Sequence, residues 1–163
     1  MKRTIFFYVA LILLAALTVS CGSNSLSTIV LTAPQTELVG EGGTLQLTAT
    51  GNYSYGPSDN LTDKVTYTVT ADGDDINQIA LPAPPSNVTI NSTGLLTAVD
   101  PFVCTFAPGN STGTTVTSWV LTGSYKVVAT YKGVTSQPFY VGMASAAGDP
   151  AAPANGQCGP TTN

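Results

Sequence analysis

Alternation of apolar and polar residues is the strongest pattern in this sequence, and its period of two residues is that of a half-buried β-strand. The clearest example is segment 44–50, TLQLTAT, in which three apolar residues alternate with polar ones. Segment 65–70 repeats the alternation, and segments 87–91 and 95–99 flank a Ser-Thr-Gly turn that predicts a hairpin. Hardly any segment has the period of an amphipathic helix. The pattern therefore predicts an all-β fold.

The composition agrees with this prediction and excludes several functions. The chain contains 25 threonines, whose β-branched side chains favour strands, whereas only 9% of its residues are charged. Histidine is absent, which removes the usual general base and a common metal ligand. Five Lys and Arg residues are too few for a nucleic-acid surface. We therefore expect a non-catalytic binding or structural module without a cofactor.

The number and spacing of the predicted strands indicate the architecture. Further strands are predicted at 28–32, 37–39, 124–130 and 137–141. Seven to eight short strands separated by turn residues are typical of an immunoglobulin-like β-sandwich. The sandwich is assigned to residues 28–141, and the Ala-, Gly- and Pro-rich segment 142–163 to a tail.

The N-terminus has the features of an export signal. A cationic start precedes an apolar run at 5–17, which is too short to span a membrane. The following sequence, LTVSC at 17–21, resembles a bacterial lipobox, although Thr18 stands where leucine is usual. This resemblance implies a lipoprotein signal peptide at 1–20, with Cys21 lipidated on its thiol and acylated, for example by palmitate, on its amine. The alternative is an ordinary secretion signal in which Cys21 is available for a disulfide.

Lipidation predicts where the protein is found. We expect it in a bacterial cell envelope, anchored at the outer membrane on either the surface or the periplasmic face, with the membrane as a partner through the lipid. Residues 21–27 form a tether, of which the polar stretch 23–27 reaches at most about 18 Å. Without the signal peptide, three lysines remain against nine acidic residues. This balance disfavours electrostatic binding of the domain itself to anionic lipid.

Several motifs follow one another in an order that suggests a family. Segment 38–54 reads LVGEGGTLQLTATGNYS, and the later elements are LTDKVTY at 61–67, GLLTA at 94–98, GSYKVVATYKG at 123–133 and PFYV at 138–141. In this order they resemble the bacterial immunoglobulin-like domains of group 2, which occur in adhesins of the invasin and intimin type. The resemblance implies an immunoglobulin-like sandwich and an adhesin-like role in binding other proteins.

The sequence departs from this family in two places. Tyr67 stands where the family usually has tryptophan, and Phe102 or Trp119 is expected to fill the missing volume. An insertion at 100–122 lengthens a connection that is usually short, and its segment 114–121 predicts an extra strand.

Two cysteines remain if Cys21 carries the lipid. The simplest interpretation for an exported protein is a disulfide between Cys104 and Cys158 that ties the tail to the insertion. Two free thiols or pairing between molecules are the alternatives.

Two further sets of residues are candidate ligand sites. Asp72, Asp74 and Asp75 place carboxylates close together and suggest a calcium site, although the same composition is common in surface turns. Tyr55 and Trp119 are the candidate aromatic contacts for the alternative function, in which the protein is a glycan- or polymer-binding accessory lipoprotein.

Overall fold

A computed structural model describes residues 24–73, 81–99, 104–113 and 115–145. Within these ranges the chain is all-β, as predicted, and consists of thirteen strand segments without a helix. The segments are β1 (Leu26–Thr32), β2 (Glu37–Val39), β3 (Thr44–Gln46), β4 (Thr48–Tyr53), β5 (Asp59–Asn60), β6 (Thr66–Gly73), β7 (Val88–Ile90), β8 (Leu95–Ala98), β9 (Phe106–Thr112), β10 (Thr115–Leu121), β11 (Gly123–Tyr131), β12 (Val134–Thr135) and β13 (Phe139–Ala144). No helix long and apolar enough to cross a membrane occurs in these ranges. The predicted signal peptide and most of the predicted tail lie outside them.

Strands β3 and β4 are two halves of one extended segment and organise the first layer. β3 pairs with β8, which pairs with β7, whereas β4 pairs with β1 and β5; all these pairs are antiparallel. Between the two halves, the Leu47 N–H donates to the Gly94 carbonyl at 2.9 Å. Hydrogen bonding therefore continues across the interruption, and the two small sheets form one layer.

Strand β11 is the centre of the second layer. It pairs antiparallel with β6 on one side and with β12 and β13 on the other. Strand β2 extends this layer by pairing parallel with β13. The turn at Lys132 and Gly133 joins β11 to β12.

Side chains from both layers enter one core. Leu45, Leu47 and Ala49, predicted to face inward, are no more than 2% exposed, and Tyr125 and Val127 from β11 are fully buried in the same cluster. The alternation along each strand therefore selects the face that packs inward. The arrangement is consistent with the predicted β-sandwich.

The insertion forms a hairpin of β9 and β10. The strand predicted at 114–121 is confirmed as β10, but its partner β9 was not predicted. The sequence of β9, FAPGNST, contains Pro, Gly and Asn, which strands usually avoid. Tyr67 is half-buried and donates from its hydroxyl to the Thr62 carbonyl at 3.0 Å. Phe102 lies outside the described residues.

Candidate binding surfaces

Tyr55 is the most exposed of the large apolar side chains in the described part of the chain, at 68%. It lies in the turn after β4, and its N–H donates to the Asn24 side-chain oxygen at 3.3 Å. Ser54 and Ser25 are joined by backbone and side-chain bonds beside it. Gly56 has a φ of +92°, which glycine adopts without strain. The turn that presents Tyr55 is thus fixed to the residues that precede β1.

Trp119, the other candidate aromatic residue, lies in β10 and is only partly exposed, because it packs against the core. At the base of its hairpin, Thr105 is hydrogen-bonded to the end of β13. The end of β13 is also hydrogen-bonded to Gly40, which lies shortly before β3. Strands β3 and β4 then lead from that end of the first layer to Tyr55. Tyr55 and Trp119 therefore lie toward opposite ends of the sandwich, and the structure does not bring them together as one aromatic platform.

The predicted acidic site is only partly within the described residues. Asp72 lies on β6 opposite Ser124 of β11, whereas Asp74 and Asp75 are outside the described ranges. In the part of the chain that the structure describes, no three His, Cys, Asp or Glu side chains are grouped so that they could hold a metal ion. Calcium binding at this site therefore remains a hypothesis.

Cys104 is half-buried against the core, directly before the hairpin. Cys21 and Cys158 lie outside the described residues, so the predicted lipidation and the predicted disulfide both stay predictions. The position of Cys104 is nevertheless informative. A bond from it to the tail would act at the base of the inserted hairpin.

Thr105 holds this base in place. Its N–H donates to the Met143 carbonyl at 3.0 Å, and its hydroxyl oxygen accepts the Met143 N–H at 2.6 Å. The Thr105 carbonyl in turn accepts the Thr122 N–H at 2.8 Å. Thr105 is thus inserted between the end of β13 and the segment before β11. A side-chain hydroxyl replaces the main-chain acceptor that is missing there.

Hydroxyls compensate for irregular strand pairing at two further positions. The Ala49 N–H donates to the Thr62 hydroxyl, and the Ala129 N–H donates to the Ser136 hydroxyl, each at 3.0 Å. The abundance of hydroxyl residues in the sequence gives no indication of which ones have this function.

The inserted hairpin packs on the outer surface of the second layer. A Cβ at Gly142 would lie 2.8 Å from the Phe106 ring and 3.0 Å from a Leu121 methyl group, so glycine allows this approach without displacing either side chain. Leu121 and Val120 remain 45% and 50% exposed. Tyr140, 47% exposed, lies two residues before Gly142 and therefore on the same face of β13. Leu121 and Tyr140 form what we call the hairpin patch, whereas Val120, the neighbour of Leu121 in β10, points to the opposite side of the hairpin.

Lys64 and Asp59 make an exposed ion pair at 3.0 Å, and the hydrogen bond and charge of Asp59 raise the pKa of Lys64. Burial raises the pKa of Tyr67, and it raises that of Tyr125 to about 12. The Tyr125 side chain is buried in the core, and its hydroxyl donates to the carbonyl of the half-buried Pro82 at 3.0 Å.

No protein-family model matches this sequence, and no curated protein matches it either. The resemblance to bacterial immunoglobulin-like domains therefore rests on the order of the sequence motifs.

Proposed function

We propose that the protein is a lipid-anchored, immunoglobulin-like module of a bacterial cell envelope that binds a protein partner and has no catalytic activity. The hairpin patch is the observation that carries this proposal. Its two apolar side chains are exposed on the same face of the second layer, and exposed apolar surface of this kind is typical of interaction sites.

The order of the strands supports the immunoglobulin-like part of the proposal. In such domains one sheet has the order A-B-E-D and the other C-F-G. The same orders arise here if β1, β3–β4, β8 and β7 correspond to A, B, E and D, and β6, β11 and β12–β13 to C, F and G. The hairpin of β9 and β10 is then an insertion between E and F.

Site-specific photo-crosslinking in intact cells tests the interaction surface. A crosslinker placed at Leu121 or Tyr140 is expected to give a discrete adduct of higher mass. Val30 is a matched control, because it is as exposed as Leu121, at 45%, but lies on the other layer. The absence of adducts at both patch positions, or equal adducts at Val30, would contradict the proposal.

The anchor and the location have tests of their own. Metabolic labelling with palmitate is expected to label the protein and to fail after Cys21→Ser. Protease treatment of intact and lysed cells then shows the exposed face. Digestion in intact cells indicates the outer surface, and protection until lysis indicates the periplasm.

A neutral polysaccharide is a second candidate ligand, favoured by the outer face of the first layer. Residues on this face lie on alternate positions of paired strands, and none of those in the described strands is charged. Its central members are Thr28, Val30, Thr32, Thr48, Thr50 and Asn52. By contrast, the outer face of the second layer carries Glu37, Asp72 and Lys126.

Binding to cellulose, chitin and amylose resins tests this second function. We expect Thr48→Glu to weaken binding roughly ten-fold, because the new charge would lose water on contact with a neutral ligand. Thr68→Glu, at an equally outward position on β6, is the control. Failure of all three resins to retain the protein would exclude this function.

A further inference from the structure

Tyr55 and the proposed lipid anchor lie at the same end of the domain. Cys21 precedes Asn24 by three residues, so their Cα atoms are no more than about 11 Å apart in any conformation of the chain. Asn24 accepts the hydrogen bond from the Tyr55 N–H, and a Cβ at Gly56 would lie 3.6 Å from the Asn24 side-chain nitrogen. A lipid on Cys21 therefore brings the Tyr55 turn to the bilayer surface.

We propose that Tyr55 contacts the membrane directly, with its ring in the headgroup region beside the acylated Cys21. The headgroup region is about 5–8 Å thick on each side of a bilayer, which lies within the span of up to about 11 Å between Cys21 and Asn24. Tyrosine suits this location because its ring is apolar and its hydroxyl remains hydrated. Exposure of 68% leaves the ring available for such a contact.

The charges at this end agree with contact through an aromatic ring rather than through basic residues. The turn itself, YSYGPS at 53–58, is uncharged. The next residue, Asp59, is paired with Lys64, and the nearby Asp63 adds one negative charge, so the residues around the turn carry no excess of basic charge to attract headgroups. The contact would therefore restrict how the domain tilts on its short tether and would depend little on salt.

Fluorescence quenching in vesicles tests this contact. In the full-length chain with Trp119→Phe, Tyr55→Trp supplies a reporter in the turn. Tyr140→Trp is the matched control, since Tyr140 is 47% exposed on the second layer. In vesicles of phosphatidylethanolamine and phosphatidylglycerol that contain brominated lipid, we expect roughly three-fold stronger quenching at position 55 than at position 140. Equal quenching at the two positions would overturn the inference.

Hydrogen exchange of the unsubstituted full-length chain provides a second measurement if Trp119→Phe impairs folding. The amides of Ser54, Tyr55, Gly56 and Ser58 are expected to exchange more slowly on vesicles than in a detergent-free solution of the Cys21→Ser chain, whereas those around Tyr140 stay unchanged. Equal exchange of residues 54–58 in the two states would contradict the contact.

The inference rests on the lipid anchor of the proposed function, and the mass of the N-terminal peptide separates the two. A lipidated Cys21 with an unprotected Tyr55 turn refutes the membrane contact alone. An unmodified Cys21 refutes the anchor and the contact together.

Discussion

Replacing Thr105 with valine is expected to destabilise the fold by about 2 kcal/mol. Valine has nearly the same shape but no hydroxyl, so the Met143 N–H would lose the acceptor that it now has at 2.6 Å. Both residues are fully buried, so water cannot replace the hydroxyl. Leaving a buried donor without a partner costs about 1–3 kcal/mol, whereas the change in packing is small.

Urea denaturation measures this loss, and the single tryptophan, Trp119, reports on the hairpin next to Thr105. For an m-value of about 2 kcal/mol per molar, the midpoint should fall by about 1 M. Thr32→Val, at an exposed position of β1, is the control and should change the free energy of unfolding by less than about 0.5 kcal/mol. Equal midpoints for Thr105→Val and the wild type would refute the structural function of this hydroxyl.

Three further predictions concern other parts of the fold. Burial raises the pKa of Tyr125 to about 12 from 10.0. The protonated phenol therefore adds about 2–3 kcal/mol to the free energy of unfolding below pH 10, and this stability is lost as the pH rises through 12. In denaturation measured at rising pH, Tyr125→Phe should not show this loss. A Cβ at Gly51 would collide with Leu61, so Gly51→Ala should cost about 1–3 kcal/mol, and a double-mutant cycle with Leu61→Ala should show that part of the cost is relieved. If Cys104 and Cys158 form a disulfide, reduction should lower the melting temperature by removing up to about 4 kcal/mol, and alkylation without reduction should modify neither cysteine.

The sequence by itself determined most of the strands and the faces that they pack inward. Alternation in segments such as 44–50 is a local property, because successive side chains of any strand point to opposite sides. The inward positions of Leu45, Leu47 and Ala49 follow from it, and the hairpin turn at Gly94 follows from the Ser-Thr-Gly sequence between two strand segments. These features require no knowledge of which strands become neighbours.

Only the tertiary structure decided how distant segments meet. Strand β9 escaped prediction because its composition is that of a loop, and its pairing with β10 stabilises it as a strand. The sequence placed Tyr55 and Trp119 together as ligand contacts, but the direction of β3 and β4 puts them toward opposite ends. The hydroxyl of Thr105 and the missing side chain of Gly142 matter only because β9 is packed against β13. The Thr105 hydroxyl and the Met143 N–H, for example, are 38 positions apart, and no local pattern records such a contact.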